Sequence, residues 1–304
     1  MPWELYEFPG FRYKEDENFN KFPRGQEVQS YIQRFSTERN LYPSCKFNTT
    51  VKSLVPNGKG WDVEYKKKGS DSVNKEKFDY AVVCTGMYSL PNLPKFPGQE
   101  NFKGEVMHAE DFTDGQQAKG KRVIVVGGGK SAIDCAVVAG KFGEKSTLLF
   151  RSAHWPAPRY LANIVPLGWY AYSRFANFTL PMHYDVSPFH KVMHKTVGKP
   201  LKWIWWRTAE AIFKLQYNLT GDRIPKYPLD IDVFSGGQIV NYDYRDSLAS
   251  GQVSDKKGAI DHYTDKGVVL TDGTEMEADM VVFATGFKKS YDYLDQDTQK
   301  ALDK

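Results

Sequence analysis

An α/β fold made of two related units follows from three features of this 304-residue chain. The apolar run Val123–Val126 ends in Gly127-Gly128-Gly129 and enters a segment where Ala132, Ala136 and Ala139 recur at helical spacing. The stretch Asp79-Tyr80-Ala81-Val82-Val83-Cys84-Thr85-Gly86-Met87 returns near the C-terminus as Asp279-Met280-Val281-Val282-Phe283-Ala284-Thr285-Gly286-Phe287. Each copy also follows a hairpin-like segment, Trp61–Tyr65 before the first and Gly267–Leu270 with the Asp272-Gly273 turn before the second. Strand, glycine turn, helix is the layout that aims backbone N–H groups and a helix N-terminus at a pyrophosphate. The sequence therefore predicts two dinucleotide-binding, Rossmann-like domains, the first incomplete and the second carrying a helical insertion.

Within the glycine turn, Gly127 permits the sharp bend and Gly129 lets phosphates approach the backbone. Gly128, Lys130 and Ser131 complete the candidate cradle, and Ala132, standing where a third glycine is usual, still lets the helix lie close to the sheet. The next strand, Ser146–Phe150, ends in Arg151-Ser152 rather than in a carboxylate. An acidic residue there suits the ribose hydroxyl of NADH, whereas the planar guanidinium suits a phosphate, so NADPH is favoured.

The two Thr-Gly ends, Thr85-Gly86 and Thr285-Gly286, are expected to exit sharply beside a ligand. Only one glycine turn is present, before the second of them, so the start of the first nucleotide unit is expected to lie upstream of this chain. The expected domains are 1–117 with 288–304, an incomplete dinucleotide-binding unit, and 118–287, an NADPH-binding unit with an insertion over 155–240. That insertion is rich in aromatics, helix formers and proline breaks. Its densest part, Leu201-Lys202-Trp203-Ile204-Trp205-Trp206-Arg207, is read as a helix running to Leu219 and packed over the active site. The same residues suit contact with a membrane surface, a reading favoured less.

Composition is that of an ordinary globular chain, with 41% hydrophobic and 26% charged residues. A net charge of +4 is too weak to argue for nucleic acid, and Lys66-Lys67-Lys68 reads as a solvated hairpin tip. The three cysteines, Cys45, Cys84 and Cys135, show no Cys-x-x-Cys spacing, so neither a redox pair nor a metal site is expected. That spacing also disfavours a disulfide reductase of similar architecture. No export signal precedes the fold, and a cytoplasmic protein, or one on the cytosolic face of an internal membrane, is expected.

At this point the chain resembles the flavin-containing monooxygenases. Phe102-Lys103-Gly104-Glu105-Val106-Met107-His108-Ala109-Glu110-Asp111-Phe112 is similar to that family's fingerprint, Phe-x-Gly-x-x-x-His-x-x-x-Tyr/Phe. Gly127–Ala132 resembles its NADPH loop, and Ala284-Thr285-Gly286-Phe287 its Ala-Thr-Gly-Tyr/Phe element, in the same order. The related Baeyer–Villiger monooxygenases end the fingerprint in Trp followed by Pro or Asp, where this chain has Phe112-Thr113.

The resemblance implies that FAD and NADPH are the cofactors and that O2 and a small molecule are the substrates. NADPH would reduce the flavin, and a C4a-hydroperoxide would pass one oxygen to a soft nucleophile, an amine nitrogen or a sulfur. No catalytic side chain is implied, and His108 is expected to be structural. Thr85-Gly86 is expected to approach the flavin, while Val51 reads as core packing more than as a ligand contact. The family's FAD glycine loop is absent, so the alternatives are a non-catalytic NADPH-binding remnant or a Baeyer–Villiger-type monooxygenase.

Overall fold

The computed structural model describes residues 3–13, 22–86, 88–179, 187–236, 238–240 and 242–302. Two compact units emerge, one from residues 1–84 with 290–304 and one from 85–289.

In the first unit a helix, α1 (Gly25–Glu38), buries Tyr31 among aromatic rings. Tyr31 Oη donates to the Phe11 carbonyl at 2.6 Å and accepts from the Phe8 N–H at 2.7 Å, so the ring pins the N-terminal segment to the helix. Tyr13 stacks on the same ring, 4.1 Å between centroids. Three strands, β1 (Thr49–Asn57), β2 (Gly60–Lys67) and β3 (Val73–Phe78), form an antiparallel meander. Lys66–Lys68 stands at its β2–β3 tip, as expected for a solvated charge run. A short helix, Gln296–Leu302, follows Leu294, whose backbone neighbour Tyr293 accepts from the Leu54 N–H at 2.7 Å.

The second unit is built on a five-stranded, all-parallel sheet. Its strands are β4 (Glu105–His108), β5 (Arg122–Val126), β6 (Lys145–Phe150), β7 (Val253–Lys257) and, after a further antiparallel meander (β8, Ile260–Tyr263; β9, Gly267–Leu270; β10, Glu275–Glu277), β11 (Met280–Phe283). The spatial order is β7-β6-β5-β11-β4. The central strands β5 and β11 are near-continuous apolar runs because both faces are covered. Side chains alternate between them. Val123, Val125, Leu148, Phe150, Met280 and Val282 meet α2 (Lys130–Phe142) and the insertion. Ile124, Leu149, Val281 and Phe283 meet the β8–β10 meander. Ala132, Ala136 and Ala139 are fully buried, so the small-residue face of α2 lies against the sheet as read from the sequence.

The insertion is largely helical. It runs through α3 (Leu167–Ala171), α4 (Arg174–Thr179), α5 (Pro188–Lys195), α6 (Gly198–Gln216) and α7 (Leu229–Ser235). Its ends meet where Gln238–Ile239 pairs in parallel with Pro156–Ala157. The α6 helix stops at Gln216 rather than Leu219, because Asn218 adopts a left-handed conformation (φ 49°) that turns the chain.

Three expectations change. The first copy of the repeat, residues 79–86, forms no strand (Met87 lies outside the described residues), and Tyr80 and Val82 are 87% and 84% exposed. Its counterpart β11 is buried because β4 and β5 pair on either side of it. Residues 79–86 have no such neighbours among the described residues, and an apolar run without pairing partners has no sheet to enter. Residues 85–117, placed by sequence with the first domain, pack in the second, because β4 pairs with β11 there. Finally, Val51 is exposed rather than packed in a core, since the β1–β3 meander leaves that face of β1 uncovered.

Candidate functional site

The carboxyl ends of β5 and β11 form the switch point of the sheet, because the chain leaves β5 toward β6 on one side while β11 lies on the other. Ligands of open α/β sheets bind in that crevice. Gly127 sits there with φ 150°, and a Cβ built on it would lie 2.4 Å from the Ala284 carbonyl oxygen and 3.1 Å from Ala132 Cβ. Only glycine lets the turn pass between the end of β11 and the start of α2. A Cβ at Gly128 would come 2.6 Å from the Ser152 carbonyl oxygen. Gly127, Gly128, Ser152 and the end of β11 are thus drawn together from three loops.

Gly129 differs from its neighbours. It is the N-cap of α2 with φ −88° and ψ 172°, and a Cβ there would meet nothing within 4 Å among the described residues. No side chain among the described residues caps this helix. The first N–H groups of α2 have no intrahelical acceptor and sit at the positive end of its dipole. The turn is therefore open on the side where an anion would lie. Lys130 pairs with Asp134 one turn along the helix, and Ser131 is exposed. Arg151, just past β6, is exposed and has no hydrogen-bond or ion-pair partner among the described residues.

The Thr-Gly elements do different things. Thr285 Oγ1 donates to the Asn92 carbonyl at 2.5 Å, and the Gly286 carbonyl accepts from the Asn92 N–H at 2.9 Å. His108 joins this knot. Its Nδ1 accepts from the Glu110 N–H at 3.2 Å, so its Nε2 carries the proton and donates to the Gly286 carbonyl at 3.0 Å. The ring is buried edge-on against Phe287, in keeping with a structural role. Thr85 and Gly86 are exposed and lie outside this knot.

The glycine turn meets two groups that the sequence did not single out, Gln238 from the end of the insertion and His154 just before its start. Gln238 Nε2 donates to the Gly128 carbonyl at 2.8 Å, and His154 packs its ring edge beside Gly128. Of the tryptophans on α6, Trp205 and Trp206 pack on the main core whereas Trp203 is 64% exposed. That helix therefore divides between core and solvent. Among the described residues no helix is long and apolar enough to cross a membrane.

The profile of the FMO-like family, flavin-binding monooxygenase-like, matches residues 3–304. The chain belongs to this family. Among similar proteins, flavin-containing monooxygenase 3 of Homo sapiens is 30% identical over 98% of this chain and 53% of its own length. Trimethylamine monooxygenase of Pelagibacter ubique (strain HTCC1002) is 37% identical over 49% of the chain and 34% of its own length. The chain spans about half, or less, of the length of these relatives. Among solved structures, Tmm from Pelagibacter sp. strain HTCC7211 superposes with a TM-score of 0.59 at 23% identity, covering 97% of this chain and 47% of that one. An oxidised steroid monooxygenase bound to NADP gives 0.65 at 21% identity, covering 96% and 64%. These likenesses agree with the α/β architecture of the second unit, and the relatives are enzymes by name.

Proposed function

We propose that this chain carries the NADPH-binding unit of an NADPH- and FAD-dependent monooxygenase that transfers one oxygen atom from O2 to a soft nucleophile, an amine nitrogen or a sulfur. The observation that carries the reading is the turn at Gly129, uncapped and open among the described residues, together with the Arg151 guanidinium, which has no partner among them. When bound, NADPH supplies a hydride. The chain's own residues bind and orient it. The N–H groups of Gly129, Lys130 and Ser131 are placed to donate to the pyrophosphate, and Arg151 to pair with the 2′-phosphate. Lys130 is balanced by Asp134, which leaves Arg151 to select between nucleotides. His108 and Thr285 hold the end of β11 against the Asn92 segment and touch no reacting atom in this scheme.

The first unit offers no matching cradle among its described residues, and the flavin contact assigned to Thr85 and Gly86, which fall at the start of the second unit, rests on the family alone. The exposed run at Tyr80 and Val82 favours a second reading, a chain that binds NADPH without holding flavin. Visible absorbance of the purified protein separates the two, since a bound flavin spectrum eliminates the second. Calorimetric titration tests the first. NADP+ is expected to bind more tightly than NAD+, by about 10-fold or more for a charge-assisted pair. Arg151→Ala should erase that difference, and equal affinity for both nucleotides in the unmodified chain would sink the reading.

A further inference from the structure

Beside the glycine turn, His154 and Asp232 meet across 78 residues of sequence. Asp232, on α7, is buried, its side chain 2% exposed. Its Oδ1 lies 2.8 Å from His154 Nδ1, and its Oδ2 accepts from the Trp155 N–H at 2.8 Å. One carboxylate thus grips two consecutive residues just past β6, which sets the plane of the imidazole. Glycines flank the ring on two sides. A Cβ on Gly236 would come 2.0 Å from Nδ1, and one on Gly128 would come 3.5 Å from Cδ2 and 3.9 Å from Nε2. The ring is 28% exposed, and its Nε2 has no partner among the described residues. Close by, Gln238 holds the Gly128 carbonyl through Nε2, while its buried Oε1 has no hydrogen-bond partner among the described residues.

An ionised Asp232 accepts the Nδ1 proton, which leaves Nε2 as the nitrogen beside the turn. In the imidazolium form that nitrogen is a charged donor next to the uncapped start of α2, where an anion is already favoured. The charged groups on the adjoining segments are Asp230 and Asp232 on α7, Arg151 after β6, and the Lys130–Asp134 pair at the start of α2.

We propose that His154 is a further binding residue of the glycine turn. Its Nε2–H donates to a phosphoryl oxygen of the dinucleotide pyrophosphate, and Asp232 is the positioning residue that orients the ring and balances its charge. This rests on the dinucleotide reading of the turn. It also gives the insertion a role, because Asp232 and Gln238 both reach the turn from that segment.

The test is calorimetric titration of the unmodified chain, His154→Gln and Asp232→Asn with NADP+ and with 2′-AMP, at a single pH of about 6. Gln keeps an amide donor for Asp232, and circular dichroism with the thermal midpoint verifies that each variant folds. His154→Gln is expected to weaken NADP+ by about 10-fold or more. It should leave 2′-AMP, which has no pyrophosphate, within about two-fold. Asp232→Asn should also weaken NADP+ and leave 2′-AMP within about two-fold. Equal losses for both ligands would mean that the ring only shapes the turn, and would overturn the proposal. If the unmodified chain binds NADP+ and His154→Gln binds it equally well, the His154 proposal alone fails. If the unmodified chain takes up no NADP+, the dinucleotide reading fails and this proposal with it.

Discussion

Two adjacent glycine substitutions should separate folding from ligand binding. In Gly127→Ala the new methyl meets a backbone oxygen, Ala284 O, at 2.4 Å and Ala132 Cβ at 3.1 Å, from a residue whose φ is 150°. Neither neighbour is the end of a flexible chain. Overpacking and a backbone conformation suited to glycine each cost about 1–3 kcal/mol, and because relaxing one partly relaxes the other, the combined loss should be about 2–4 kcal/mol. In Gly129→Ala the methyl enters open space from φ −88° and ψ 172°, which alanine adopts readily. A weaker N-cap and a less flexible unfolded chain oppose each other, so stability should stay within about 1 kcal/mol. The methyl does occupy the side of the turn where phosphate would lie, and NADP+ affinity should fall about 10-fold or more. Denaturant melts report the first quantity and calorimetric titration the second. If Gly129→Ala binds NADP+ as the unmodified chain does, no phosphate lies against Gly129 and the cradle has been placed wrongly.

Three further outcomes follow from the structure. The Arg122 guanidinium, donating from Nε and Nη2 at 2.9 Å, holds the Asp279 carboxyl down at about 2 from an ordinary 3.8. A lowered carboxyl contributes stability above its unfolded value and loses it as pH falls through the folded one. Stability of the second unit should therefore decline between about pH 4 and 2, and Asp279→Asn should flatten that limb of an acid melt. The two copies of the repeat should answer differently to the same change. Val282→Ser, fully buried, should cost about 2–4 kcal/mol in a denaturant melt, and Val82→Ser less than about 0.5. Burial pushes the Cys135 thiol up to about 11, while Cys45 and Cys84 are exposed. A thiol reagent at pH 8 should label those two quickly in the folded protein, and Cys135 only on unfolding.

What the sequence determined by itself is the part governed by neighbours along the chain. An apolar run into three glycines and then alanines at helical spacing specifies a strand, a turn and a helix lying close to a sheet, and these stand where they were read. The order of fingerprint, turn and Thr-Gly element pointed to the family for the same reason, since each is a short contiguous pattern. Tertiary structure alone decided two things. The two copies of the repeat have nearly the same apolar character, yet only β11 is a strand, because a parallel strand is stabilised by neighbours that its own sequence does not contain. His154 and Asp232 carry no local signal either. One follows a strand and the other sits in a short helix, and only the closing of the insertion's ends at Pro156–Ala157 and Gln238–Ile239 sets them 2.8 Å apart beside Gly128. Local pattern fixes backbone conformation, whereas a site assembled across 78 residues depends on which distant surfaces bury each other.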